Sequence, residues 1–452
     1  MRAPIVALAV LAVAGGASAQ EPRRVALEEA LRLAAQSQPA MVTARQDVRV
    51  ANAQERQAGA AFLPSLNTAA STSRSGGARG NQFGVPTQVT SFFSSNVRLS
   101  ASWDAFTGFR RGAQRASARA TSDQRDATLL RQEYATALAT KQAFFAALAN
   151  RELVSVSETR LRRAQEQLNL VSERLRLGAT TRSDSLRARV EYGNAQLQLV
   201  EAQASLRTAQ ANLARALGVV GLVDAAADTS LEARIARLDT AALRNEALAT
   251  APSVREADAA VRTSRAQIGV SRAAYFPTVS LSASNSWIAG IAGGPSVVRD
   301  STGAVVDTVV YEPTGMPFGG RYSSGWQMSL SLNFPLFNNL TRETNAISSD
   351  AGLRSAEARA RDARLLLDAN LTQAFAALDA AAQRIDIARI SLTAAEEDLR
   401  LQRERYRLGA STIFEVLTSQ VAADQAQVDL VRARYDYLVA RAQLEAYVGH
   451  AL

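Results

Sequence analysis

Cysteine is absent from the 452-residue chain. That excludes disulfides, thiolate metal sites, cysteine nucleophiles and a lipid anchor on an N-terminal cysteine. The one histidine, His450, leaves almost nothing for imidazole metal sites or a Ser-His-Asp triad. Aromatics make up only 6% of residues and alanine is abundant, so a large core of bulky side chains is not expected. No nucleophile–base pair or metal-ligating cluster is legible, so neither an enzyme nor a cofactor is expected. Lysine is also scarce: Lys141 stands alone among 51 basic residues, the others being arginines. With 42 acidic residues the net charge is +9. The arginines alternate with Glu and Asp at helical spacings, as on solvated helix faces. A nucleic-acid site would gather basic residues with aromatics between them, so no nucleic-acid partner is expected.

The start of the chain sets its destination. Met1 and Arg2 lead into an apolar run from Ile5 to Ala14, then Gly15-Gly16 and the A-x-A site Ala17-Ser18-Ala19. Residues 1–19 therefore form a cleavable secretory signal peptide, with the mature chain beginning at Gln20. A spanning helix needs about 20 apolar residues, and no stretch supplies them. Any membrane span must be built from strands.

Internal repetition is the strongest signal. Glu173-Arg174-Leu175-Arg176-Leu177-Gly178-Ala179-Thr180-Thr181 recurs 231 residues later as Glu404-Arg405-Tyr406-Arg407-Leu408-Gly409-Ala410-Ser411-Thr412. Trp103 and Phe334, Phe106 and Phe337, and Gly218 and Gly449 share that spacing. Nearer each start, Phe62-Leu63-Pro64-Ser65-Leu66 matches Tyr275-Phe276-Pro277-Thr278-Val279 at a spacing of 213. The difference is a longer Gly-, Pro-, Ser- and Asp-rich loop in the second copy. We expect one structural repeat over 20–218, an irregular linker or equatorial segment over 219–238, and a second repeat over 239–452.

Each copy has the pattern helix, strand, loop, strand, very long helix, turn, helix. Pro64 and Pro277 mark the passage from helix to extended chain. Residues 107–177 and 338–408 lack proline and nearly lack glycine. About 70 residues at about 1.5 Å each would make a helix near 100 Å long, which must coil against partners. Strands are expected at about 65–75, 91–104, 278–290 and 322–335. Trp326, Met328, Leu330, Leu332 and Phe334 alternate with Gln327, Ser329, Ser331 and Asn333, and Val97, Leu99, Ala101 and Trp103 with polar neighbours. This period of two suits a barrel apolar outside and wet inside. Four strands cannot close a barrel, since about eight is the smallest number. Several chains must share one: two chains with eight strands, or three with twelve.

In the order of its motifs the chain resembles the TolC family of outer-membrane efflux and export channels. The resemblance covers essentially the whole mature chain. It rests on Leu27-Glu28-Glu29-Ala30-Leu31 followed by Pro39, the Phe62-Leu63-Pro64-Ser65 junction, and the duplicated Arg-Leu-Gly-Ala turns. It implies a mainly α fold with a β-barrel portion: a long coiled-coil α-barrel, plus four membrane strands per protomer sharing a barrel in a homotrimer. The implied place is the cell outer membrane, with a large periplasmic part. Such channels passively conduct substrates of efflux or type I secretion assemblies, with a periplasmic adaptor and an inner-membrane pump as partners. A soluble periplasmic coiled-coil scaffold without a barrel is the alternative; it accounts for the helices but not the strands. Segments 75–90 and 290–321 are expected as extracellular loops.

The tip turn of the second copy falls at about 408–412. The resemblance makes Arg176, Leu177, Gly178, Ala179, Arg407, Leu408, Gly409 and Ala410 the adaptor-docking tips. Asp184 and Glu415 each fit a capping box, and Glu415 also sits where the family carries a pore-lining acid. Thr418 occupies the place of a second acid. In the family a Tyr before the second turn bonds an Asp after the first. Tyr406 and Asp184 match those positions, while Ser411 replaces an Arg that supports closure.

Overall fold

In a computed structural model of the protein, residues 23–75, 92–226, 239–290, 296–299, 302, 304–309 and 323–451 are described. The signal peptide and most of the 75–90 loop lie outside them. In chain order the elements are β1 (Arg23–Val25), α1 (Leu27–Ser37), α2 (Pro39–Ala60), β2 (Ser65–Ser75), β3 (Phe92–Phe106), α3 (Arg110–Arg176) and α4 (Arg182–Leu217). There follow β4 (Val223–Ala225), α5 (Thr240–Thr250), α6 (Pro252–Arg272), β5 (Thr278–Gly290), β6 (Ser296–Arg299), β7 (Val305–Val309), β8 (Ser323–Asn333), α7 (Thr341–Arg407) and α8 (Ile413–Val448). The paired long helices match in length, 67 residues for α3 and α7 and 36 for α4 and α8. Pro39 and Pro252 each open a helix. The residues before them, Gln38 and Ala251, are extended, as the proline ring demands.

Residues group into two compact units that each draw on both halves of the chain. One comprises 49–124 and 258–358 and contains an antiparallel sheet in the order β2-β3-β5-β8. Its register sorts the side chains by face. Leu66, Ala101, Ala283 and Met328 lie in one cross-strand row, and Trp103, Leu281 and Leu330 in another on the same face. The opposite face carries the row Ser65, Ser102, Ser282 and Ser329, where paired hydroxyls meet at 2.6 and 2.7 Å. Trp326, Met328, Leu330 and Leu332 are exposed within the chain, and among the described residues β2 and β8 are the edges of the sheet. At the helix–strand junctions, Arg111 stacks over Phe62 at 4.9 Å and Arg342 over Tyr275 at 5.2 Å. The same device therefore recurs in both copies.

The other unit comprises 1–48, 125–257 and 359–452. Its core is Ala-rich, with Phe144, Leu213, Leu371 and Leu444 fully buried. Two details add to the sequence reading. The 219–238 segment is not wholly irregular: β4 pairs in parallel with β1, and Arg151 bonds the buried Asp224 and, at 2.7 Å, the carbonyl of Ala225. The 290–321 segment contains the β6–β7 hairpin. Strands of three to five residues are too short to display a period of two.

Candidate functional site

The turns that end the long helices are built alike. The N–H of Ala179 donates to the carbonyl of Arg174 at 2.8 Å, and that of Gly178 to Leu175 at 3.0 Å. Ala410 to Arg405 (2.8 Å) and Gly409 to Tyr406 (3.2 Å) repeat the motif, which satisfies carbonyls left over at a helix end. Gly178 and Gly409 take φ of 71° and 75°, conformations an L side chain resists, although the space beside each is open. Leu177 and Leu408 then project into solvent, 77% and 82% exposed. Arg176 and Arg407 flank them, paired with Glu173 at 2.8 Å and Glu404 at 3.5 Å on their own helices. Each turn thus offers an exposed leucine beside a long-stemmed cation, with Ala179 or Ala410 following the glycine.

Both acids after the turns close capping boxes. Asp184 accepts from the hydroxyl of Thr181 at 2.7 Å, from its N–H at 3.3 Å and from the hydroxyl of Thr180 at 3.0 Å. The Thr181 hydroxyl foremost, with help from Thr180 and Arg187, holds this carboxyl below the usual aspartate range. Glu415 accepts from Ser411 and from the N–H of Thr412. The Ser411 hydroxyl chiefly, then Thr412 and Arg405, depresses its pKa. Ser411 also lies 3.2 Å from Gln402. Thr418 donates back to the carbonyl of Phe414 at 2.9 Å and, with Arg187, Phe414, Leu417 and Val421, lines a shallow groove of about 420 Å³.

Tyr406 is buried in a small cluster with Val171, Ala188, Leu399, Ile413 and Val416, and its hydroxyl has no hydrogen-bond partner among the described residues. The Tyr406–Asp184 bond implied by the resemblance is therefore not made within the chain. Asp184 faces Thr180 and Thr181, while Arg174 covers the Tyr406 ring at 4.6 Å.

A buried charge cluster escaped the sequence reading. From α3, Arg163 reaches Asp424 of α8 at 3.2 Å and Arg160 reaches it at 3.5 Å. Arg160 also pairs with Glu191 of α4 at 2.7 Å. Burial pushes the Asp424 carboxyl up, with Arg160 and Arg163 opposing. Burial likewise lowers Arg403 of α7, and the like charge of Arg163 adds to it. The signal available was divergence between the copies. At 231-residue spacing Arg160, Arg163 and Glu191 correspond to Ser391, Ala394 and Ala422, and Asp424 to Gly193.

Comparison with known proteins places this geometry. A family model described as Outer membrane efflux protein matches residues 30–219 and 243–450. Protein CyaE of Bordetella pertussis is 26% identical over 430 residues, 93% of this chain and 81% of CyaE. The probable efflux pump outer membrane protein TtgC of Pseudomonas putida is 23% identical over 311 residues. That alignment covers 68% of this chain and 59%, under two thirds, of TtgC. A crystal structure of CusC superposes with a TM-score of 0.74 at 20% identity, covering 94% of this chain and 92% of that one. The fold is thus the expected TolC-like one, mainly helical with antiparallel strands.

Proposed function

Since the chain belongs to the outer membrane efflux protein family and is an outer-membrane channel of an export system, we propose that it works as a homotrimer conducting cargo passively. Its place is the cell outer membrane, with a large periplasmic part. In this reading a periplasmic adaptor docks on the exposed Leu177 and Leu408 turns, and an inner-membrane pump delivers the cargo.

The observation that carries the reading is the sheet. One face is apolar and exposed, the other is lined with serine, and both edge strands lack outer partners among the described residues. Unpaired backbone groups in lipid cost several kcal/mol each, so edges cannot be left open there. Placing β8 of one protomer beside β2 of the next would close twelve strands around a polar lumen. Among the described residues no helix is long and apolar enough to cross a membrane, which leaves spanning to the strands. Near the turns, three copies of Glu415 would form a ring favouring cations, while Tyr406, Asp184, Ser411 and Thr418 lie in the same turn region.

Extraction from outer-membrane fractions only with detergent, native mass analysis showing three chains, and ion conductance in planar bilayers are the expected results. A monomer released by osmotic shock would overturn the reading.

A further inference from the structure

We propose that Arg98 is an anion-binding site in the barrel lumen, where three copies form a ring that takes the carboxylate, phosphate or sulfate groups of passing cargo. This rests on the channel reading above, which supplies the threefold barrel.

Three observations carry it. First, the register places Arg98 on the serine face of the sheet. It lies opposite Ala69 of β2 and Ser286 of β5, and its neighbour on the same face, Ser100, lies opposite Asn67 and Ser284. Leu99 and Trp103 take the other face of β3, since side chains alternate along a strand. Second, charge is nearly absent from the four strands. β5 and β8 carry none, and β2 and β3 hold only Arg74, Arg98 and Asp104. Arg74 shares the apolar face of Leu66 and stands beside the last residue of β2, so it does not enter the lumen. Asp104 follows Arg98 by six residues, about 20 Å along the strand and beyond the reach of screened charges. Third, Arg98 is exposed, and among the described residues nothing bonds or pairs with it. Ala69 offers it no polar atom, and the Ser286 hydroxyl donates to the carbonyl of Gly325 at 3.4 Å. The arginines at the helix–strand junctions differ, for Arg111 and Arg342 each stack on a ring and bond carbonyls. Arg98 is spare.

The chemistry follows from the guanidinium. Its planar fork of N–H donors matches a carboxylate or phosphate two bonds at a time. Twelve strands about 4.8 Å apart and tilted about 40° enclose a ring about 24 Å across. Threefold symmetry sets the three arginines at one level of that wall, reaching inward. Walls of low dielectric focus the field of like charges, which raises the local anion concentration about tenfold or more. The hydroxyls and amides around the ring carry no charge to cancel it.

The test uses the purified full chain in planar bilayers, with tripolyphosphate added to each side in turn. Tripolyphosphate should block the current, and Arg98→Gln should weaken that block about tenfold. Arg98→Lys, which keeps the charge without the fork, should lose less than Arg98→Gln. Ser286→Glu, which sets a carboxylate opposite Arg98, should weaken the block with the arginine still in place. That variant decides alone if Arg98→Gln fails to assemble. About 1 M salt, where the Debye length is about 3 Å, should relieve the block in the starting protein. A block unchanged by either Arg98→Gln or Ser286→Glu would overturn the site, as would a conducting protein that tripolyphosphate never blocks. A starting protein that never conducts would overturn the channel reading itself.

Discussion

Arg174 stands 4.6 Å above the ring of Tyr406 and donates to that residue's own carbonyl at 3.3 Å. A second donor nitrogen reaches the carbonyl of Arg407 at 3.5 Å. One side chain of α3 thereby covers an aromatic and caps the last carbonyls of α7. Its counterpart in the second copy, Arg405, donates instead to the carbonyl of Ala410 in its own turn, at 3.4 Å.

Arg174→Ala should therefore destabilise the chain by about 1–2 kcal/mol, because it removes both the cation–π stacking and the helix-end charge. Arg405→Ala should cost clearly less. Arg174→Lys should recover only part, since an ammonium cannot stack flat or fork to two carbonyls. Denaturant midpoints in detergent would rank the three.

The unpartnered hydroxyl makes Tyr406→Phe neutral or stabilising by up to about 1 kcal/mol, because a buried polar group is removed and no bond is broken. Conductance should not rise. This is opposite to what the family resemblance implies for a Tyr–Asp link. A clear rise in planar bilayers would mean that another protomer supplies the missing acceptor.

Acid acts on the two caps with a definite sign. Asp184 and Glu415 titrate below their ordinary values of 3.8 and 4.5. Their stabilising contributions are thus present above those values and are lost as pH falls through the depressed pKa values. Thr181→Ala should remove about 1 kcal/mol at neutral pH and flatten the acid limb of a melting profile. Glu415→Gln should mainly weaken cation preference, measured as reversal potential in a salt gradient. Unchanged selectivity would leave Glu415 as a helix cap.

Asp424 titrates the other way, above 3.8, because burial disfavours its charge. As pH falls from neutral it takes up a proton before Asp184 does, since the two depart in opposite directions from the same ordinary value. The folded state therefore binds this proton more tightly than the unfolded chain, and this group's contribution to stability, measured as the denaturant midpoint in detergent, should grow as pH falls. Asp424→Asn should remove that dependence; a dependence that survives would assign it to another group.

On the sheet, Leu330→Arg should disrupt assembly and Ser329→Arg should not. Adjacent residues here face opposite sides, as the register shows. A cation on the lipid side costs about 2–4 kcal/mol near the bilayer centre. Trimer yield in outer-membrane fractions would separate the two.

The four strands were legible because residues such as Met328 and Gln327 alternate through whole runs, and because helices without proline have few other options. The turns were legible from Gly178 and Gly409, whose sequence context repeats. β1 and β4 were not, since three residues cannot show a period. The Asp184–Tyr406 relation went astray because sequence matching fixes positions along a helix but not where a carboxylate points. Asp184 had nearer donors in Thr180 and Thr181. Asp424 was hidden among dozens of similar helix charges, for only the packing of four helices makes it a buried one.

The equal lengths of α3 and α7, and of α4 and α8, constrain how such a gene can drift. One residue gained or lost inside a helix rotates everything beyond it by about 100°. Arg174 would leave Tyr406, and Arg163 would leave Asp424. The segment between β5 and β8 is already longer than its counterpart between β2 and β3. Insertions and deletions in the long helices therefore survive only as compensated sets.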